Sequence, residues 1–140
     1  MADFGWAASL NDYKRSTYCG TVDYLAPEII AGTTYGFEVD IWSVGVLSYE
    51  LCAGEAPFNG SDNKKTRENI RKMEFKIPDH FSAKLGGFVV RILTPDPKRR
   101  PTIKEVLKDP WLLENVKRYR EIKKQSNHYL NKNNNNPKTK

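Results

Sequence analysis

A mainly α fold is what these 140 residues predict, and three observations carry that expectation. The stretch Asp40-Ile41-Trp42-Ser43-Val44-Gly45-Val46-Leu47-Ser48-Tyr49-Glu50-Leu51 is apolar almost all round and is followed by Gly54, the pattern of a helix inside a core that stops at a glycine. Leu85, Val89, Ile92 and Leu93 recur at helical spacing. Thr102-Ile103-Lys104-Glu105 is a capping box, in which a hydroxyl and a carboxylate can satisfy free amides at a helix start. Strict apolar/polar alternation, the mark of a half-buried strand, is scarce throughout.

In chain order, residues 1–23 are polar, rich in Ser, Thr and Tyr and without a sustained period, so Gly5 to Thr21 reads as a loop or partly ordered segment. Loops of that length in compact domains tend to be functional. Ala26-Pro27-Glu28-Ile29-Ile30 is one short helical turn, and a loop from Gly32 to Gly36 leads to the apolar helix at Asp40. After the turn Pro57-Phe58-Asn59-Gly60, Asp62 to Lys72 is a polar surface helix anchored by Ile70 and Met73. Phe81 to Leu93 is a further helix, weakened by Gly86 and Gly87, each of which costs about 1 kcal/mol against Ala. The capping box opens the next helix, which Pro110 closes. An amphipathic helix is expected over 112–125, and 126–140, with Asn133 to Asn136 and three lysines, is expected to be disordered.

Charge divides the chain. The 23 Lys and Arg outnumber the 17 Asp and Glu by six, yet residues 1–110 hold 15 of each sign. The excess lies in 111–140, where Lys117, Arg118, Arg120, Lys123, Lys124, Lys132, Lys138 and Lys140 face Glu114 and Glu121. Such a tail could contact nucleic acid or an acidic partner, but no binding motif organises it, and a solvated extension is the favoured reading. Cys19 and Cys52 form no Cys-x-x-Cys pair and no charged-then-apolar leader is visible, so a reduced, intracellular protein is expected, without disulfides or zinc fingers. The most apolar stretch, Ile41 to Ala53, is far short of the roughly 20 residues that cross a bilayer, and no membrane partner is expected.

The chemistry begins at Asp3-Phe4-Gly5, where a carboxylate beside a flexible glycine can hold a hard cation against phosphate oxygens. A tripeptide alone says little. Three further motifs in order along the chain give it weight: Ala26-Pro27-Glu28, then Asp40-Ile41-Trp42-Ser43-Val44-Gly45, then Arg100-Pro101. With these motifs in this order, residues 1–113 resemble the C-terminal lobe of the eukaryotic protein kinases. The resemblance implies an activation segment over 3–28, a helical core over 29–113, and a basic tail over 114–140 outside the domain. Within the family the likeness is to the Aurora kinases: Trp6 after Asp-Phe-Gly, Lys14-Arg15-Ser16-Thr17-Tyr18-Cys19-Gly20-Thr21 before Val22-Asp23-Tyr24-Leu25, and Met73-Glu74-Phe75 leading to Pro78-Asp79. Ala26 departs from the Pro of many animal Auroras, and Tyr24 to Ile30 is also similar to the cyclic-nucleotide-dependent kinases.

The resemblance implies a role for each matching residue. Asp3 is the metal-binding carboxylate, and the intact kinase would use ATP and Mg2+. Thr17 is the activation phosphosite, with Ser16 as the rival acceptor; Arg15 makes an Arg-x-Thr that a basophilic kinase could modify, and the added charge would order the loop through arginines. Thr21 lines the site where the acceptor hydroxyl arrives, and Glu50 reads substrate arginine, so the protein substrates carry basic residues near Ser or Thr. Glu28 and Arg100 form a buried salt bridge pinning the activation segment. Asp40 accepts backbone hydrogen bonds from the catalytic loop; read without the family it is a helix N-cap. Cys19 reads as a small packing residue.

A working kinase also needs a Gly-rich loop, a strand lysine with its glutamate partner, and a His-Arg-Asp catalytic loop, none of which these residues include. The 140 residues alone are therefore expected to be inactive, and the N-terminal kinase portion is an expected partner. The alternatives are a non-catalytic, kinase-derived binding or dominant-negative module, and a basic-tailed nucleic-acid binder. A place at the spindle or centrosome, within cytoplasm or nucleus, rests on the Aurora likeness alone.

Overall fold

The computed structural model describes residues 22–134, which form helices and turns with no strand among them. A short 3-10 turn at Val22–Tyr24 leads into α1 (Pro27–Ile30), α2 (Glu38–Ala53), α3 (Asn63–Lys72), α4 (Ala83–Ile92), a second 3-10 turn at Pro97–Arg99, α5 (Ile103–Val106) and α6 (Pro110–Asn134).

The core is built on α2. Its composition predicts burial on most faces, but the described residues cover one stripe, Ile41, Trp42, Gly45, Val46 and Tyr49. Val44, Leu47 and Leu51 on the other side are exposed. Gly45 sets how close α4 can come: a Cβ there would lie 2.5 Å from Ile92 Cγ2 and 2.9 Å from Leu93 Cδ2. An aromatic layer fills the space below, with Trp42 stacked on Phe58 (centroids 5.4 Å apart) and Phe75 edge-on to Phe58 at 5.1 Å. The Tyr49 hydroxyl donates to the Lys76 carbonyl at 2.9 Å. Gly54 ends α2 in the left-handed region (φ 88°), its amide returning to the Glu50 carbonyl.

Caps explain where the other helices begin. The Asp62 carboxylate accepts from the Lys65 amide at 2.8 Å and starts α3, which buries Thr66 and Asn69 as well as the expected Ile70. Thr66 and Asn69 tie down the preceding turn: Gly60 N donates to Thr66 Oγ1 at 3.2 Å, and Asn69 Nδ2 to the Phe58 carbonyl at 3.2 Å. Ser82 caps α4 through the Leu85 amide, and α4 forms despite Gly86 and Gly87 because Leu85, Phe88, Val89 and Ile92 are all buried. The capping box forms at α5, with the Thr102 amide donating to Glu105 Oε2 at 2.8 Å.

The C-terminal part differs from the sequence expectation. Pro110 opens α6 rather than closing the helix before it, because Asp109 Oδ1 accepts the Trp111 amide at 2.8 Å and proline suits a first helical turn. The helix then runs to Asn134, past the boundary at 125 and into residues expected to be disordered. The helix formers from Lys117 to Gln125 carry it forward, and the asparagines at its end do not stop it at once. No helix among the described residues is long and apolar enough to cross a membrane.

Candidate functional site

Of the sequence-predicted site residues, Glu28, Asp40, Glu50 and Arg100 fall within the described structure; Asp3, Ser16, Thr17 and Thr21, with Cys19, lie outside the described residues. The four that are described collect around α2 and the segment that leads into it.

Arg100 is the centre of the arrangement. Proline at 101 and the 3-10 turn at Pro97–Arg99 hold its backbone extended, so the side chain points inward, where it is fully buried. A guanidinium offers five N–H donors in a planar fork, and each of them has an acceptor here. Nη1 and Nη2 reach the two oxygens of Glu28 at 2.8 and 3.1 Å. The remaining hydrogens go to the carbonyls of Glu38 at 2.6 Å, Thr94 at 3.2 Å and Pro95 at 3.5 Å. The guanidinium carbon lies over the Trp42 ring, 5.2 Å from its centroid, adding a cation–π contact. One side chain thus joins α1, the start of α2, and the 94–95 loop.

The second contact holds the residues just before α1. The Tyr24 hydroxyl donates to Glu50 Oε2, and Ser43 Oγ donates to the Tyr24 carbonyl at 3.2 Å. That hydrogen bond to Glu50, with burial and the nearby Glu50 and Asp23 charges adding to it, pushes the Tyr24 phenol above its ordinary value. Tyr24 therefore stays protonated and keeps Glu50 oriented through the neutral range. Glu50 is half-buried, so one carboxylate oxygen is held by tyrosine while the group still faces solvent.

Asp40 requires a correction. The sequence places it at the N-cap of α2, but the helix begins at Glu38 and its N-cap is Phe37, with no side-chain cap bond. Asp40 sits inside the first turn, is exposed, and makes no side-chain hydrogen bond among the described residues. With Glu38 it places two carboxylates near the positive end of the helix dipole, a favourable position without a cap.

Sequence reasoning missed Tyr24 as the partner of Glu50 and the three backbone carbonyls around Arg100. No motif spacing carries these: Tyr24 and Glu50 lie 26 residues apart, Arg100 and Glu38 62 apart, and packing alone brings them together. The described residues do not supply a metal site: no group of three or more His, Cys, Asp or Glu is placed to hold an ion.

Comparison with known proteins points the same way. The protein kinase domain family matches residues 1–112. Aurora kinase C of Mus musculus is 40% identical over 118 residues, covering 84% of this chain and 43% of the relative. Aurora kinase of Debaryomyces hansenii is 40% identical over 118 residues, 82% of this chain and 29% of the relative. Aurora kinase A-B of Xenopus laevis is 40% identical over 115 residues, 82% of this chain and 28% of the relative. The chain spans less than half the length of each of these three.

Proposed function

Since the chain belongs to the protein kinase family, we propose that it is the C-terminal-lobe part of an Aurora-like serine/threonine kinase, a transferase that moves the γ-phosphoryl of ATP to protein hydroxyls. The observation that carries this reading is the Arg100 joint, which couples the end of the motif-bearing N-terminal segment to the central helix, on which Glu50 faces solvent.

In the intact enzyme ATP and Mg2+ supply the phosphoryl group and the charge that neutralises it, and Asp3 is the residue of this chain that would hold the metal. Every other part falls to positioning. Thr17, or Ser16, takes the activating phosphate; Thr21 lines the acceptor path; Glu28 and Arg100 fix the segment between them; Asp40 faces the catalytic loop. Glu50, oriented by Tyr24, presents a carboxylate to an arginine near the target hydroxyl, a pairing suited to charge-assisted recognition. Substrates are thus proteins with basic residues near the target Ser or Thr, the setting intracellular and tied to cell division, and the 140 residues alone lack the parts for phosphoryl transfer.

The test is a chimera in which the N-terminal kinase portion of mouse Aurora kinase C is joined to this chain at Asp3. Phosphorylation of an arginine-bearing peptide is expected, abolished by Asp3→Asn, lowered by Thr17→Ala, and shifted away from arginine by Glu50→Gln. The 140-residue chain assayed alone is expected to transfer nothing. A folded chimera with no activity, or Glu50→Gln with unchanged peptide selectivity, would count against the corresponding role.

A further inference from the structure

Beyond its first turns α6 rests on nothing described. Trp111 packs on Phe88, Lys84 pairs with Glu114, and from residue 115 to 127 every side chain is exposed. Leu113, Val116, Tyr119 and Ile122 are large exposed hydrophobics on this free rod. The same stretch carries Lys117, Arg118, Arg120, Lys123 and Lys124 against two carboxylates, Glu121 and the Glu114 that is already paired with Lys84. The apolar residues recur every three positions, and a three-residue step turns an α-helix by about 300°, so each sits about 60° behind the last. Over three such steps Leu113 and Ile122 reach opposite sides of the helix.

That winding decides between partners. A bilayer surface meets a helix along one side and would leave either Leu113 or Ile122 in water. A second copy would bring the same basic rod against itself, with like charges opposed. The partner that matches is acidic and encloses the helix, so that apolar residues on both sides are covered at once while its carboxylates meet the lysines and arginines.

We propose that residues 113–124 of α6 form a docking helix for an acidic protein that wraps its target in an apolar groove, the chemistry of calcium-loaded EF-hand sensors. Their flexible, methionine-lined grooves can re-pack around a target, which suits a stripe that winds rather than runs straight.

The experiment is a calorimetric titration of the full 140-residue chain with calmodulin as the probe, in calcium and after chelation, at about 0.15 M salt, where nonspecific charge attraction is screened. A one-to-one complex of micromolar or tighter affinity is expected, weakened at least tenfold by chelation and at least tenfold by Leu113→Gln with Ile122→Gln. Glutamine is a good helix former and both positions are exposed, so the variant keeps its helix, as circular dichroism would show. No complex in calcium, a complex that survives chelation, or one indifferent to the double substitution overturns the proposal. So does binding to phosphatidylserine vesicles, or a dimer in sedimentation, that depends on the same two residues when calmodulin does not bind.

Discussion

Two ion pairs in this molecule have similar lengths and opposite surroundings. Arg100 meets Glu28 at 2.8 Å with side-chain exposures of 0% and 6%, whereas Lys84 meets Glu114 at 2.5 Å with exposures of 61% and 63%. The shorter pair is the weaker one. Water competes for both of its charges, and its two long side chains lose rotamer freedom to hold one geometry. The buried pair has lost its water, so each charge depends on its partner, and Arg100 also serves three backbone carbonyls. Burial and the number of segments joined, rather than distance, set what each pair is worth.

Breaking the buried pair gives the largest expected effect. Arg100→Met leaves Glu28 charged and enclosed, and the loss is expected to be about 3–5 kcal/mol, read from the urea midpoint of the whole chain. A loss under about 1 kcal/mol would mean that water reaches the joint, which would then resemble the surface pair. Replacing Glu28 by Leu as well is expected to recover part of that loss by removing the stranded charge, but not all of it, since the Glu38, Thr94 and Pro95 carbonyls still lose their donor.

The next effect tests whether the core beside the joint can yield. Gly45→Ala puts a methyl group 2.5 Å from Ile92 Cγ2, and α4 must move outward at a cost of about 1–3 kcal/mol in the same urea titration. Asp109→Ala lies between the two ion pairs in character. It removes the cap on the Trp111 amide and the partner of half-exposed Arg91, for an expected loss of about 1–2 kcal/mol, with α6 fraying first in hydrogen exchange at its N-terminal amides.

At the small end stands Glu114→Gln, which is expected to lower the neutral-pH midpoint only slightly. Lys84 beside it, through its hydrogen bond and then its charge, holds the Glu114 carboxyl below its ordinary value of 4.5. A lowered folded value contributes stability above the unfolded value that is lost as pH falls through the folded one. Wild type and variant should therefore converge in acid from whatever small gap they show at neutral pH. A gap that widens on acidification would show that the pair is not what lowers Glu114.

Much of this architecture was legible in the sequence, for physical reasons. The capping box at Thr102 marks a helix start through local chemistry, and Gly54 marks an end through its permitted backbone, whereas the caps at Asp62 and Ser82 are single residues that the apolar spacing of their helices does not single out. Glu28 and Arg100 are paired by resemblance to a family, not by spacing, since 72 residues separate them. Buried Thr66 and Asn69 escape a search for apolar periodicity because they serve the core as hydrogen-bonding groups. The true start of α2 is hidden because Phe37 caps it without a polar side chain, and the length of α6 because helix propagation carries through weak formers once good ones precede them.

The joint at Arg100 has a kinematic consequence. Three segments fastened to one rigid planar group cannot slide past each other one at a time; a shift of α1 must carry the start of α2 and the 94–95 loop with it, or break several bonds together. A displacement of α1 is thus shared with the other two segments through the Arg100 bonds. Lysine, a lone point charge on a flexible stem, would hold one of those segments and release the others to drift independently.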